Sequence, residues 1–367
     1  MKILKVCLLL SFIFYPLSLL AANEDDLNAR ARDIHDRVMA LDTHVDIPFN
    51  FATSGHDPAN AEAQVTLDSM ERGGLDAAFF IVYVAQQERN EDNYRKATAD
   101  ALAKFDAIHR MTTYMYPDRI GLATTAAEAR ALHEEGKLVA LIGIENGFVI
   151  GQDLSLLEDF RDRGARYMTL VHNGHNDIGD SAQPRPQFGD TGPEEHGGLS
   201  AFGVEVVEEL NRLGILVDIS HVSRRTMLEA TQHSRAPVIA SHSSVTAVAD
   251  HPRNMNDTQL MALKENGGVI QIVAFDTYVK EGGNGNVSML VDHIDYAVNL
   301  IGIDHVGISS DFGGGGGIDG WGNALETFNV TLELVRRGYS EENIAKLWSG
   351  NVLRILEEAE RVAANTN

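Results

Sequence analysis

Eight short apolar segments alternate with amphipathic segments along the chain. The apolar segments cover residues 41–46, 75–84, 137–145, 165–172, 214–221, 236–242, 267–274 and 304–311. Helical periodicity extends over residues 93–111, 199–214 and 288–302, and the last two end at a glycine, as helices commonly do. Nearly continuous hydrophobic strands between helices are typical of parallel strands buried on both faces. Eight such units predict an α/β fold, a (β/α)8 TIM barrel with its active site at the C-terminal ends of the strands.

The N-terminal segment differs from the rest of the chain. Two early lysines, an apolar stretch and small residues ending at Ala22 precede an acidic segment. This order predicts a signal peptide over residues 1–22, cleaved near Ala22, and therefore a periplasmic or secreted protein. About 345 residues remain, which suffice for a single (β/α)8 domain over residues 23–367. We interpret the Gly/Pro-rich segment 176–198 as an active-site loop and not as a domain boundary.

The net charge limits the classes of partner, and the cysteine content limits how the chain can be stabilised. The net charge is −23, and loss of Lys2 and Lys5 with the signal peptide changes it to −25. Such an acidic chain argues against nucleic acid or an anionic membrane as partner. No further apolar run of membrane length follows, so we expect no membrane anchor. The single cysteine, Cys7, lies in the signal peptide, so the mature chain would be stabilised by its core without disulfides.

Histidine or an acidic residue stands at the C-terminal end of six of the eight predicted strands. These residues are His44, Asp46, Glu145, His172, His221, His242 and Asp311. Each one alone could be a solvated or hydrogen-bonded strand end, but a barrel brings all of them to one face. Imidazole and carboxylate together suit zinc and similar divalent ions, and a carboxylate can bridge two ions. A binuclear site lowers the pKa of a bridging water and polarises a carbonyl, which is hydrolysis chemistry.

Several long segments resemble the renal (membrane) dipeptidase family of the amidohydrolase superfamily. They occur in the same order over essentially the whole mature chain: "DTHVDIP", "GIEN", "YMTLVHNGHND", "GLSAFGVEVVEELNRLGILVDISHVS", "APVIASHSS", "HPRNMND", "HVGISSDF" and "LWSGNVLRIL". The resemblance implies a zinc-dependent metallo-dipeptidase with two Zn2+, which hydrolyses L-Xaa-L-Xaa or L-Xaa-D-Xaa dipeptides through a metal-bridging hydroxide. One zinc would be held by His44, Asp46 and Glu145. The second would be held by Glu145, His221 and His242, with Glu145 as the bridge.

The resemblance also implies roles for three residues outside this ligand set. His172 would stabilise the oxyanion and contact the substrate, Arg253 would hold the substrate carboxylate, and Asp311 would shuttle a proton from water to the leaving amine. Asp311 should stay ionised beside divalent cations, and neutral His172 is a suitable hydrogen-bond donor. The residues by themselves leave two alternatives open. His172 could be a strand-end histidine bonded to backbone, and Arg253 a surface arginine paired with Asp250 or Asp257.

Two positions depart from the family pattern. Gly313 follows Phe312 where many relatives have a second aspartate, so the role of that carboxylate is absent or moved to Asp319. Phe275 stands after the seventh predicted strand, where the mammalian enzyme has a tyrosine. The five glycines over residues 313–317 lack the strand–loop–Lys context of a P-loop. We interpret them as a flexible or closely approaching loop.

Two other functions stay open from the sequence. Another amidohydrolase reaction, on N-acyl amino acids, β-lactams or lactones, would use the same nucleophile. A non-catalytic periplasmic zinc-binding or solute-binding protein is the alternative from a different class, although binding alone requires no proton shuttle such as Asp311. A small dipeptide remains the expected partner, and a homodimer is compatible with this interpretation.

Overall fold

The structure, a computed structural model, describes residues 17–366, with side chains from residue 24 onward. Most of the predicted signal peptide, residues 1–22, lies outside the described residues, and its cleavage stays a prediction. No helix within residues 17–366 combines the length and the apolar content that crossing a bilayer requires.

Eight parallel strands form the barrel and a ninth lies beside it. The strands are β1 (Leu41–Asp46), β2 (Ala77–Tyr83), β3 (Ile120–Leu122), β4 (Leu138–Glu145), β5 (Ala165–Thr169), β6 (Leu216–Asp218), β7 (Ile239–Ser243), β8 (Val269–Val273) and β9 (Val306–Ser309). Their order around the barrel is β1-β2-β4-β5-β6-β7-β8-β9. The barrel closes where Val45 bridges Phe312 and the Asp46 N–H donates to the Phe312 carbonyl at 2.8 Å. The predicted (β/α)8 barrel is confirmed.

Strand β3 is the element that the hydrophobic pattern did not predict. It pairs with β4 alone, from Ile120 opposite Leu138 to Leu122 opposite Ala140. Strand β5 pairs with the same edge of β4 only from Ile142 onward, up to Glu145. A strand of three residues is too short for a recognisable pattern, and the free edge of β4 creates it.

Thirteen α-helices cover the outside of the barrel within the described residues. They are α1 (Leu17–His35), α2 (Leu67–Gly73), α3 (Glu91–Arg110), α4 (Ala126–Glu134), α5 (Leu156–Asp162), α6 (Ala201–Leu213), α7 (Arg224–His233), α8 (Asp257–Asn266), α9 (Asp276–Val279), α10 (Val287–Ile301), α11 (Phe328–Arg336), α12 (Glu341–Ala345) and α13 (Asn351–Ala364). Capping residues define their ends, as Ser200 does when its side chain accepts the Gly203 N–H at the start of α6. Gly214 ends the same helix in the left-handed conformation, with φ 70°.

The two faces of the strands belong to two different buried clusters. Phe79 and Leu141 pack with Tyr167 and the buried face of α13 in one cluster. The intervening residues Phe80 and Ile142 pack in the other, against the surrounding helices. This alternation is the two-residue period of a strand buried on both faces, so the barrel is a filled core rather than a pore.

Three strands end two or three residues earlier than the sequence indicated. Strands β5, β6 and β9 stop before His172, His221 and Asp311, which lie two or three residues further on. His221 and Asp311 have φ 65° and 60°, in the left-handed region that non-glycine residues rarely adopt. This backbone conformation interrupts the pleat at the mouth of the barrel, which is where strained residues at functional sites are found.

Candidate active site

The strand ends bring seven predicted residues into one buried cluster around Glu145. Its Oε1 lies 3.1 Å from Nε2 of His221 and 3.4 Å from Nε2 of His242, and its Oε2 lies 3.6 Å from Nε2 of His44. We name His172, His221 and His242 the imidazole-rich half, and His44, Asp46 and Asp311 the carboxylate-rich half. Potential ligand atoms lie within metal-binding reach of one another in three sets, which are His44 with Glu145 and His242, Glu145 with His172 and His221, and His44 with Asp46 and Asp311.

Hydrogen bonds fix the tautomers in the imidazole-rich half. The Nδ1 atom of His242 lies 2.8 Å from the Ser241 hydroxyl, which donates to Asp218 at 2.7 Å and so must accept from the ring. The Nδ1 atom of His221 lies 3.2 Å from the Asn173 Oδ1 acceptor. Both Nε2 atoms therefore carry lone pairs, although they lie 2.8 Å apart. Two facing lone pairs repel each other unless a cation lies beside both, so this half fits a metal ion.

His44 is held in the same way in the carboxylate-rich half. Its Nδ1 lies 2.9 Å from the Tyr167 hydroxyl, and that hydroxyl donates to the Thr43 carbonyl at 2.9 Å. The ring must then donate from Nδ1, so Nε2 is the atom that faces the carboxylates. Burial lowers the pKa of His44, but Glu145 and Asp46 outweigh it and raise that pKa well above its ordinary value, so a metal ion at Nε2 would replace a proton. Within the described residues this buried Nε2 has no hydrogen-bond partner. An unpartnered nitrogen facing carboxylates is the environment that a divalent cation requires.

The electrostatics of the cluster favour a bound cation. Burial raises the pKa of Asp311 well above its ordinary value, and the neighbouring Asp46 and Glu145 act in the same direction. Burial also opposes ionisation of Glu145, but the surrounding histidines, chiefly His44, outweigh it and lower its pKa well below the usual range. A cation among these carboxylates would replace the proton on Asp311, because metal binding and protonation compete for the same groups.

The histidines of the imidazole-rich half are held neutral. Burial lowers the pKa of His221 well below its ordinary value, and the Arg253 cation adds to the effect. Burial lowers the pKa of His242 in the same way, together with the charge of His44. Neutral imidazole is the form that binds metal, so these side chains need no deprotonation before they act as ligands.

The comparisons identify the family to which this site belongs. The family model described as membrane dipeptidase, peptidase family M19, matches residues 28–367. The chain belongs to the membrane dipeptidase family. Dipeptidase aclJ of Aspergillus oryzae is 36% identical over 307 residues, which are 82% of this chain and 71% of that protein. Dipeptidase verJ of Clonostachys rogersoniana is 32% identical over 365 residues, which are 94% of this chain and 90% of that protein.

A solved structure extends the comparison to the fold. The probable dipeptidase PvdM from Pseudomonas aeruginosa superposes with a TM-score of 0.88 at 31% identity, over 92% of this chain and 100% of that chain. The predicted resemblance to the membrane dipeptidases is therefore confirmed. Membership in this metallopeptidase family implies metal use.

The glycine run of this membrane dipeptidase family member lies against the carboxylate-rich half. A Cβ on Gly314 would lie 2.4 Å from both the Asp46 Oδ2 and the Asp311 Oδ1 atoms. Gly313 has φ 81°, and a Cβ there would lie 2.6 Å from the Asp46 carbonyl oxygen. The closely approaching loop is confirmed, and this backbone excludes the aspartate of other family members at position 313. Gln64 Oε1 instead accepts the Gly313 N–H at 2.8 Å.

Arg253 is buried beside the imidazole-rich half, with 4% of its surface exposed. It donates from Nη2 to the His242 carbonyl at 3.1 Å, while its buried Nε has no partner within the described residues. The alternative of a surface arginine is wrong, because the described part of the chain contains no ion pair of Arg253 with Asp250 or Asp257. Its guanidinium carbon lies 5.4 Å from the ring centroid of Tyr278.

His172 lies between the cluster and the solvent. Its Nε2 is 3.8 Å from Glu145 Oε1, and its side chain retains 17% exposure. The ring packs on Tyr83 and His221 at centroid distances of 4.9 and 4.2 Å. Its ring makes no hydrogen bond to backbone within residues 24–366, so the backbone-bonded alternative is wrong. A histidine that is both close to the cluster and accessible can contact a substrate.

Tyr278, three residues after Phe275, lies close to Arg253. The Tyr278 ring packs against the Phe275 ring at a centroid distance of 4.2 Å and against the His251 ring at 4.3 Å. Burial raises the pKa of the Tyr278 hydroxyl, which interacts with Arg253. The resemblance places Phe275 at the position of the family tyrosine, and it does not indicate Tyr278 in the segment "FDTYV". Asp319 instead lines a separate cavity of about 620 Å³ and lies outside the cluster.

Sequence reasoning missed the residues that orient the histidines. Asp218, Ser241 and Tyr167 are fully buried polar residues within strands of the barrel. A polar side chain at an inward position of such a strand is the signal that could have found them. The loop 176–198 is also tied to the site, since Ser181 donates to the His172 carbonyl at 2.5 Å.

Proposed function

We propose that this chain is a zinc-dependent dipeptidase that hydrolyses the peptide bond of free L-Xaa-L-Xaa or L-Xaa-D-Xaa dipeptides. Two Zn2+ ions would be held by His44 and Asp46 and by His221 and His242, with Glu145 shared between them. Membership in the membrane dipeptidase family and its dipeptidase relatives support a metallo-dipeptidase. The observation that carries the zinc assignment is the convergence of three imidazole Nε2 atoms on one buried carboxylate.

The chain's own residues supply the proton transfers. Bound zinc would lower the pKa of a water molecule and polarise the scissile carbonyl. Asp311, ionised beside the cations, takes a proton from the attacking water and delivers it to the amide nitrogen as the C–N bond breaks. His172 is neutral because burial lowers its pKa, so it can donate a hydrogen bond to the carbonyl oxygen as negative charge develops.

Arg253 supports a substrate with a free C-terminal carboxylate. Its buried Nε lacks a partner within the described residues, and its guanidinium lies beside the His242 ligand. A guanidinium pairs with a carboxylate through two parallel hydrogen bonds. A carboxylate held one residue beyond the scissile carbonyl leaves no room for further chain, which supports a dipeptide over longer peptides and over lactones.

Metal analysis joined to a dipeptide library tests the proposal. We expect about two zinc equivalents per chain, as a shared-carboxylate site requires. Chelation should abolish hydrolysis and added zinc should restore it, and N-acyl amino acids, β-lactams and lactones should be poorer substrates. Full activity with one bound ion or none after reconstitution would contradict the binuclear site.

We also propose export to the periplasm or secretion, with cleavage near Ala22. Intact-mass measurement and N-terminal sequencing of the protein from the exported fraction should show a chain that begins at about residue 23. A full-length chain in the cytosolic fraction would contradict export without affecting the catalytic proposal.

A further inference from the structure

A cavity of about 510 Å³ opens beside the carboxylate-rich half. It is formed by β1, β2 and the loops after β1 and β9, and it is lined in part by Asp46, Phe51, Phe80, Tyr83, Lys104 and Phe312. Asp46 belongs to the cluster, and the Tyr83 ring packs against the His172 ring at 4.9 Å. The inner wall of this cavity is therefore the edge of the candidate active site itself.

Lys104 supplies a buried positive charge to this cavity from α3. The residue is 4% exposed, and its Nζ donates to the Ile47 carbonyl at 2.7 Å. No carboxylate lies within ion-pair distance of its Nζ among residues 24–366. Its Nζ lies 5.1 and 5.7 Å from the ring centroids of Phe49 and Tyr83. A buried ammonium with one carbonyl partner and no counterion is unfavourable, so an anionic ligand in this cavity would stabilise it.

The cavity and Arg253 lie on different arcs of the barrel mouth. Arg253 follows β7 and contacts Tyr278, which follows β8, whereas the cavity belongs to β9, β1 and β2, further along the barrel order. A dipeptide with its carboxylate at Arg253 and its scissile carbonyl at the cluster would direct its N-terminal residue toward the cavity. This orientation rests on the proposed dipeptidase function.

We propose that this cavity receives the side chain of the N-terminal residue and that Lys104 selects an acidic side chain there. The aromatic walls at Phe80 and Phe312 pack against the methylene groups of that side chain. The ammonium pairs with its carboxylate in a charge-assisted hydrogen bond. Dipeptides with N-terminal glutamate or aspartate are then the preferred substrate class.

Matched substrates that differ only in charge test this selection. The zinc-loaded enzyme should show a kcat/KM about tenfold or more higher for Glu-Ala than for Gln-Ala, the discrimination typical of a hydrogen bond to a charged group. Lys104→Met should remove this preference and leave kcat/KM for Gln-Ala within about threefold, a change that corresponds to less than one hydrogen bond. Lys104→Arg should retain part of the preference. Lys96→Met is the matched control, because Lys96 lies on the same helix with 70% side-chain exposure.

Binding measurements separate recognition from catalysis. Calorimetry with phosphinate analogues of Glu-Ala and Gln-Ala should show the same preference in the wild type and its loss in Lys104→Met. Equal losses on both substrates in Lys104→Met would show that Lys104 only supports the Ile47 backbone. Absence of any preference in the wild type would overturn the proposal even if the variant failed to fold. Failure of the zinc-loaded enzyme on every dipeptide would instead overturn the proposed function.

Discussion

The two halves of the cluster around Glu145 favour a cation by different means. In the imidazole-rich half, neutral rings are oriented by hydrogen bonds that they donate to Ser241 and Asn173, and burial lowers the pKa of His221 and His242. In the carboxylate-rich half, charge dominates, and burial with neighbouring carboxylates raises the pKa of Asp311. The first half presents lone pairs at all times, whereas the second half exchanges a proton for a cation. A hydrolase that must both hold metal and move protons needs both kinds of environment.

Removing the shared carboxylate should produce the largest effect, because both halves depend on it. Glu145→Gln keeps the shape of the side chain but loses the charge that the surrounding histidines face. We expect loss of both ions and hydrolysis below detection, measured by elemental analysis and a dipeptide assay. Thermal unfolding should remain cooperative. Retention of two zinc equivalents in this variant would show that the halves do not share Glu145.

The carboxylate-rich half should be separable from metal binding at Asp311. Asp311→Asn retains the shape but removes the proton acceptor, so kcat should fall roughly 10²-fold or more while metal content stays unchanged. Asp319→Asn is a suitable control, because that residue lines a different cavity. Turnover close to that of the wild type in Asp311→Asn would exclude Asp311 as the proton shuttle.

Substrate positioning should depend on the arginine beside the imidazole-rich half. Arg253→Met should lower kcat/KM for a free dipeptide. The loss of transition-state stabilisation should be roughly 2–4 kcal/mol, as when one partner of a desolvated charge pair is removed. The wild type should reject both the C-terminal amide and a tripeptide extension, and the variant should lose little on the amide. Equal losses on acid and amide would show that Arg253 supports the fold and not the carboxylate.

The smallest effects should come from substitutions of the residues that orient the histidines. Each substitution should affect only the half that contains its histidine. Ser241→Ala removes the Nδ1 partner of His242, and Tyr167→Phe removes that of His44. Each change should lower the affinity for one of the two metal ions by roughly 10- to 100-fold, as for other residues that support metal ligands. Chelator titration should then release zinc in two phases. An equal loss of affinity for both ions in either variant would contradict the assignment of one ion to each half.

The sequence by itself determined the barrel and most of the site. Parallel strands buried on both faces require long apolar segments, and the helices between them require a 3.6-residue period, so both are visible locally. His44, Glu145 and His242 fall at the ends of such segments, and the barrel topology brings all strand ends to one face. The family motifs then supplied roles for Asp311 and Arg253, which no local pattern could have provided.

Only the tertiary structure decided which hydrogen-bond partners orient these residues. The hydroxyl that fixes His44 belongs to Tyr167, 123 positions away in the chain, and the carboxylate that orients Ser241 lies on another strand. Strand β3, the hydroxyl of Tyr278 beside Arg253 and the buried charge of Lys104 also depend on contacts between segments distant in sequence. A local pattern records which face of an element is buried, but it does not record which partner a buried polar atom will meet. That partner is set when the strands close into the barrel, because closure places distant side chains within hydrogen-bonding distance.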